Sequence, residues 1–143
     1  MISFIEIKKA VNDNLKLYFP SINRVSGELK EGFPKPAFFS TVQPILIRNT
    51  HLNYVDCLIG VTIVYFPEKE SELENLKIQE KLYRAFGLTL FVKDKAFLLE
   101  QKATDYLEGA FQVRFNIRIR LVYTDKKEEK IIMKQLKMDG GNL

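Results

Sequence analysis

Hydrophobic residues alternate with polar ones in one long segment near the C-terminus of the chain. From Phe111 to Tyr123 every second residue is apolar, and most residues between them are Gln, Asn or Arg. A period of two is typical of a strand that buries one face. Tyr54 to Phe66 is apolar at most positions of both alternating sets, which predicts a central strand covered on both faces for much of its length.

Two other segments have the spacing of amphipathic helices. The first is predicted to begin at a capping box of Ser3 and Glu6 and to end before Pro20. Phe4, Ile7, Val11, Leu15 and Tyr18 are predicted to share one stripe of this helix. The second follows another capping box at residues 71–74 and is predicted to end in a left-handed Gly87. Its predicted stripe is Leu73, Leu76, Tyr83 and Phe86, with Leu82 beside it.

The segments between these elements complete the predicted order α-β-β-β-α-β-β-β. Ile22 to Val25 is a short strand, and Ala37 to Val42 is a strand that Pro44 ends or places at an edge. Arg48 to Asn53 is polar and predicted to be a loop, and Leu88 to Thr104 a hairpin. The prediction is an α+β fold, a mostly antiparallel sheet with two helices packed on one face.

The domain boundaries follow from the same pattern. Residues 1–125 are predicted to form a single α+β domain, and residues 126–143 a charged C-terminal tail that could serve as an interaction arm. The longest apolar stretch, Cys57 to Phe66, is far shorter than the ~20 residues of a membrane-spanning helix. With no signal-peptide pattern at the start, we expect synthesis in the cytoplasm and no membrane partner.

The inventory of reactive side chains is small. The chain has one His and one Cys, His51 and Cys57, where a zinc site needs about four ligands. A Cys-His dyad of these two is formally conceivable, but no third partner or oxyanion motif accompanies it. No phosphate-binding glycine loop occurs. We therefore expect no catalytic residue, no metal and no cofactor.

Positive charge is concentrated at the C-terminal end. The chain has a net charge of +4, and residues 111–143 alone hold eight Lys and Arg against four Asp and Glu, a difference of 8 − 4 = +4. Within this part, Arg114, Arg118 and Arg120 lie on one face of the last strand, spaced about 14 and 7 Å apart along it. Three interpretations stay open: a solvated sheet face, a protein interface, or a nucleic-acid contact without specific readout. The apolar residues Ile131, Ile132 and Leu136 of the tail are further candidates for an interaction.

Five short segments occur in a characteristic order: Tyr18-Phe19-Pro20, Gly32-Phe33 running into Pro36-Ala37-Phe38-Phe39, Tyr65-Phe66-Pro67, Leu82-Tyr83, and the hairpin into Phe111 to Tyr123. Together they resemble a family of phage tail terminator proteins. These occur in contractile-tailed phages and in defective phage-like particles of Gram-positive bacteria. The resemblance covers most of the chain to about Tyr123.

The resemblance implies a structural virion protein without catalytic residues. Members of this family form a ring, commonly of six copies, on the last ring of the tail tube. The ring stops tube polymerisation and offers a surface to the sheath and to head-tail connector or collar proteins. The expected location is the neck end of the virion tail, after assembly in the bacterial cytoplasm. A nucleic-acid-binding accessory protein that uses the basic C-terminal third is the alternative.

Overall fold

The first helix, α1, spans Phe4–Tyr18 in the computed structural model, which describes residues 2–25 and 32–122. Its start is fixed by Ser3, whose hydroxyl oxygen accepts a hydrogen bond of 3.1 Å from the backbone N–H of Glu6. Ile7, Val11 and Leu15 are buried, at the spacing that the sequence predicted. Through these three side chains, α1 packs against one face of the sheet.

Six strands form the sheet in the order β1-β2-β3-β6-β5-β4. Their bounds, and those of the second helix, are β1 Asn23–Val25, β2 Ala37–His51, β3 Tyr54–Phe66, α2 Glu72–Ala85, β4 Thr89–Val92, β5 Lys95–Leu107 and β6 Ala110–Val122. Neighbouring strands are antiparallel except for β1, which runs parallel to β2. The predicted order and the mostly antiparallel sheet are confirmed, and the parallel edge strand makes the sheet mixed.

Strand β2 is much longer than the sequence predicted. It continues through Pro44 to His51, so the prediction that residues 48–53 form a loop was wrong. The cause is its pairing with β3, which lies beside it along its whole length and places Arg48 opposite Asp56. A register shift next to Pro44 accommodates the proline within the strand. The connection between the two strands is reduced to Leu52 and Asn53.

The hydrophobic core lies on one side of the sheet. The inward residues of β3 and β6 alternate along each strand, and both helices contribute to the same buried cluster. Its members from these four elements are Ile7, Val11, Leu15, Val55, Cys57, Ile59, Val61, Ile63, Tyr65, Leu82, Ala85, Phe86, Phe111, Val113, Phe115, Ile117 and Ile119. The opposite face of β3 is only half-buried, so the prediction of a strand covered on both faces was wrong.

Helix α2 packs through a different stripe from the one predicted. Its N-terminal cap is Ser71, which accepts a hydrogen bond of 3.3 Å from the N–H of Glu74, as expected. Gln79, Leu82 and Ala85 face the core, followed by Phe86 at the C-terminal cap. The predicted stripe residues Leu73, Leu76 and Tyr83 are instead exposed. Gly87 does not have the positive φ angle of a left-handed residue. The residue at the C-terminal cap is Phe86, whose side chain is buried in the core.

Candidate interaction surface

One face of the sheet is open to solvent over β2, β3, β6 and β5 in the described part of the chain. Both helices pack on the other face, and the side chains that alternate outward from β3 and β6 are half-buried or exposed. Arg114, Arg118 and Arg120 all lie on this open face, as the alternation of β6 predicted. The structure therefore brings the three predicted arginines together on one surface.

Each of these arginines is bound to an acidic residue of a neighbouring strand in the same chain. The three pairs are Arg114 Nη2 with Asp105 Oδ2 at 2.8 Å, Arg118 Nε with Glu100 Oε2 at 2.9 Å, and Arg120 Nε with Asp56 Oδ1 at 2.7 Å. We refer to these six residues as the arginine ladder. Because every guanidinium has a carboxylate beside it, the ladder carries alternating charges and little net charge.

Further hydrogen bonds hold the ladder in place. Gln112 donates to Asp105 at 3.2 Å, and Asn116 donates to Gln101 at 2.6 Å. The guanidinium of Arg120 lies 5.2 Å from the centre of the Tyr54 ring, within the range of a cation–π contact. Its hydrogen bond with Asp56 raises the pKa of Arg120. A phosphate group that bound here would have to displace a carboxylate already engaged with arginine.

An apolar group borders the ladder at the end of the sheet where β2 turns into β3. Ile45, Leu46 and Ile47 are 59%, 51% and 55% exposed. The side chain of Ile45 lies over Gly60 so closely that a Cβ at that glycine would stand 2.7 Å from Ile45 Cδ1. The β2–β3 hairpin thus extends past the part of the sheet that the helices cover, because Ile47 pairs with the buried Cys57 and is itself exposed.

A second apolar group lies on α2 and the adjoining end of β5. It contains the exposed Leu73, Leu76, Tyr83 and Tyr106. The hydroxyl of Tyr83 hydrogen-bonds that of Thr104, and the hydroxyl of Tyr106 donates to Gln79 Oε1 at 3.2 Å. Sequence reasoning placed the first three in the core, because spacing alone does not tell which of two apolar stripes on a short helix is buried.

The two candidate reactive residues, His51 and Cys57, are not brought together as a dyad. His51 is exposed at the end of β2, where its ring centre lies 5.4 Å from that of Tyr54. Cys57 is buried on the core side of β3, and burial raises the pKa of its thiol. Among residues 2–25 and 32–122, no group of three or more His, Cys, Asp or Glu side chains could hold a metal ion. Within the same residues, no helix is long and apolar enough to span a membrane.

The groove between α1 and β4 is a cavity of about 640 Å³. Lys93 and Glu6 form an ion pair of 3.2 Å in its wall. Leu17 of α1, Phe91 of β4 and Arg84 at the end of α2 also line it. The residues that line the cavity include no Cys or His, so it offers neither a thiol nor an imidazole. Ile131, Ile132 and Leu136, the remaining predicted interaction residues, lie outside the described residues.

Comparison with known proteins gives one informative match. A family model described as phage tail terminator protein matches residues 6–130, which is most of the chain. No curated protein matches the chain. Among solved structures, one whose printed name states no function aligns over 87% of this chain and 99% of that one, with 14% sequence identity and a TM-score of 0.46. At that TM-score the likeness supports no conclusion about fold or function.

Proposed function

This chain belongs to the phage tail terminator family, and from that membership we propose that it caps the tail tube as a ring of identical copies, commonly six. The family gives it a structural role in the phage tail and a place in the virion tail. The finer proposal is that the ring sits at the neck end of the tube and stops tube polymerisation. There it offers a surface to the sheath and to head-tail connector or collar proteins, after assembly in the host cytoplasm.

The observation that carries the proposal is the family match over residues 6–130, which includes α2, all six strands and all of α1 except its first two residues. The geometry supports it, since a sheet covered on one side only leaves a broad face for contact with another tail protein. Interfaces of this kind combine apolar groups with charged side chains at their rim. The open face has both in the hairpin end and the arginine ladder.

The arginine ladder is our proposed contact with the tube or with a neighbouring copy. Arg114, Arg118 and Arg120 are already held by carboxylates, so they would meet a partner in fixed positions and lose little side-chain entropy on binding. Each carboxylate could also exchange its arginine for a charged group of the partner. We propose in addition that Ile131, Ile132 and Leu136 dock on a neighbouring copy.

We propose that the protein acts without catalysis, metal or cofactor. The described residues support this, because the single histidine is exposed on a hairpin and the single cysteine is a buried neutral thiol. The alternative of a nucleic-acid-binding accessory protein gains no support from the arginine row. Its three arginines are each paired with a carboxylate of the same chain, so this row does not present free cations to a phosphate backbone.

The test is polymerisation of purified tail tube protein in the presence and absence of this chain. We expect capped tubes whose mean length in negative-stain electron microscopy falls as the ratio of terminator to tube protein rises. A reconstruction of the tube end should show this chain as a closed ring. Tubes of unchanged length, or a different protein at the tube end of intact particles, would overturn the proposal.

A further inference from the structure

We infer that, in the free copy, the tail segment from Ile131 to Leu136 lies in the groove between α1 and β4 of the same chain. Its backbone would lie against the outer edge of β4. The segment is beyond the described residues, which end at Val122. While it occupies the groove, it is not available to a neighbouring copy, so the tail contact of the proposed function requires its release.

The groove exposes apolar side chains beside most of α1. Its wall contains residues of α1 between Glu6 and Tyr18, the end of α2 and the whole of β4. Two of its leucines, Leu17 and Leu88, are 74% and 72% exposed. Its volume of about 640 Å³ is large enough to accommodate several side chains of a bound segment. A segment lying in the groove would remove these leucines from water, which is favourable.

The outer edge of β4 offers backbone hydrogen-bonding groups to the same groove. In the described part of the chain, β4 is the last strand of the sheet and pairs with β5 alone. The N–H of Leu99 donates to the C=O of Leu88 at 2.9 Å, so these two residues form a hydrogen-bonded pair. Such pairs alternate along an antiparallel ladder, and the N–H and C=O groups of Thr89 and Phe91 therefore point away from β5. No backbone group of the described residues pairs with them, which leaves them available to an added strand.

A carboxylate oxygen in the groove wall also needs a donor. Glu6 Oε1 forms the ion pair with Lys93, whereas Oε2 is buried and accepts no hydrogen bond from the described residues. Buried polar atoms are nearly always hydrogen-bonded. A backbone N–H or a lysine ammonium of the tail would satisfy this oxygen, and Lys130 and Lys134 lie on either side of the two isoleucines of the segment.

The charges of the groove wall are of both signs. Lys9, Arg84 and Lys93 line it together with Glu6 and Asp13. A partner with charges of one sign would therefore meet like charges along part of the wall, which disfavours nucleic acid. Charge alone does not select the tail, in which residues 126–137 also combine five Lys with two Glu.

The position at which the described chain ends selects the tail of the same copy. Leu88 is bonded to Leu99, which lies opposite Ile117, so Leu88 is about 10 Å across the sheet from β6. Val122 is five residues further along β6, about 17 Å, and is thus about 20 Å from Leu88. β4 and β6 are both antiparallel to β5 and run toward the same end of the sheet. The nine steps from Val122 to Ile131 span up to about 30 Å, which is enough to reach the groove.

This short connection also favours the same copy over a neighbour. A tether of a few residues holds the segment near its groove at an effective concentration on the order of millimolar. In dilute solution a second copy is present at a much lower concentration. We therefore assign the groove to the tail of the same chain.

Hydrogen exchange of the full chain tests the contact at a dilution at which sedimentation shows a monomer. We expect the N–H groups of Thr89 and Phe91 to be protected, and Ile131→Asp with Ile132→Asp to raise their exchange rates at least about tenfold. Core amides of β3 should keep their protection, which excludes a folding defect. Met138→Asp is the matched control, since it changes an apolar tail residue outside the segment. Unprotected N–H groups in the wild type, an equal effect of the control, or protection that appears only at high protein concentration would overturn the inference.

Cross-linking within one chain gives an independent test, because the native cysteine is buried. We expect a short bismaleimide to link Leu88→Cys with Leu136→Cys in the monomer. The control pair is Leu52→Cys with Leu136→Cys. Leu52 is an exposed leucine outside the groove, and it lies closer to Val122 than Leu88 does, since Tyr54 pairs with Val122. A tail that did not dock would therefore link to position 52 at least as fast as to position 88. That result, or covalent dimers in place of the internal link, would overturn the inference. Both experiments are carried out without tube protein, so their outcome is independent of the tube-length experiment.

Discussion

Arg120 and Asp56 face each other directly across β6 and β3 and are joined by two hydrogen bonds. Arg120 Nε donates to Asp56 Oδ1 at 2.7 Å, and Arg120 Nη2 donates to Oδ2 at 3.2 Å. The fork of the guanidinium thus matches the two oxygens of one carboxylate. Arg118 makes a single bond to Glu100 at a diagonal position of β5. The ladder therefore ties β6 to both of its neighbours on the solvent side.

Exchanging the residues of the Arg118–Glu100 pair should reveal their coupling. Arg118→Glu alone and Glu100→Arg alone each place like charges on adjacent strands, so both should lower the free energy of unfolding. The double exchange should recover most of the loss, with a coupling energy below about 1 kcal/mol because the pair is solvent-exposed. Urea denaturation at low and high salt measures this. Losses that simply add, with no recovery in the double variant, would show that the pair does not interact in solution.

The same exchange separates structure from assembly. Reversing all three arginines to glutamate would put each beside an acid of its own chain, so lost assembly could reflect a weakened monomer. The double exchange keeps an ion pair between positions 118 and 100. It reverses only the positions of the two charges that a partner would contact. If the ladder is an interface, the doubly exchanged protein should unfold like the wild type and fail to limit tube length. Normal length control by this variant would remove Arg118 from the proposed contact.

Phe115→Ala should cost about 3–5 kcal/mol of stability, because the ring is buried and its removal leaves a cavity. Its ring centre lies 5.5 Å from that of Phe86, which links β6 to the end of α2. Phe91→Ala is the matched control, since Phe91 is an exposed phenylalanine of β4 and its loss should change stability by less than about 0.5 kcal/mol. Thermal or urea denaturation of the two variants measures both losses of stability. Similar losses for both would contradict the placement of the core.

Ser71→Ala should destabilise the protein by about 1 kcal/mol, because the N–H of Glu74 loses the hydroxyl oxygen that accepts its hydrogen bond. Ser71→Asp keeps an acceptor at the cap and should retain most of the stability. Urea denaturation of the two variants provides the comparison. An alanine variant as stable as the aspartate variant would mean that the cap contributes nothing.

Gly60→Ala should force the tip of the Ile45 side chain to move, because the new methyl group would stand 2.7 Å from Ile45 Cδ1 and 3.2 Å from Cγ1. The cost should be modest, since that side chain is largely exposed and can rotate. Adding Ile45→Ala should remove the clash, so the two changes should be non-additive in a double-mutant cycle. Strict additivity in urea denaturation would show that Ile45 does not rest on Gly60.

Stability should decline in alkaline solution through Cys57 and Tyr65. Burial raises the pKa of the Cys57 thiol above its ordinary value of about 9.0, and burial also raises that of Tyr65 above 10.0. The unfolded chain therefore releases these protons first as pH rises. Stability is fully present below pH 9 and is lost as pH rises toward the folded-state values. Urea denaturation from pH 7 to 10 should give a shallower decline for Cys57→Ala than for the wild type. An identical slope would mean that this thiol does not contribute.

The alternation of β6 predicted both its buried residues and the three arginines of the open face. Period-two patterning is reliable here because one face of the strand meets a continuous core and the other meets water. The pairing partners of the arginines could not be predicted, since Asp56, Glu100 and Asp105 lie on two other strands. Their register depends on a long hairpin and on a shift in β5 between Glu100 and Ala103.

Helix α2 and strand β2 show where local sequence reasoning fails. Leu73, Leu76 and Tyr83 have helical spacing, yet the stripe that is buried in the core is the one that includes the polar Gln79. Gln79 tolerates burial because its side-chain oxygen accepts a hydrogen bond from Tyr106, a residue of β5. Likewise, Pro44 and the polar residues after it predict the end of a strand. Tertiary pairing with β3 overrides that local preference.

The proline in β2 has a consequence for the free subunit before assembly. Beyond Phe39, the outer edge of β2 has no further strand among the residues that the structure describes, and it carries the apolar Ile45 and Ile47. The unpaired N–H and C=O groups of such an edge can pair with strands of other chains, which leads to aggregation. Pro44 has no N–H to donate, and the shift in register beside it bends the ladder. We therefore expect Pro44 to oppose the addition of strands from other chains at this edge.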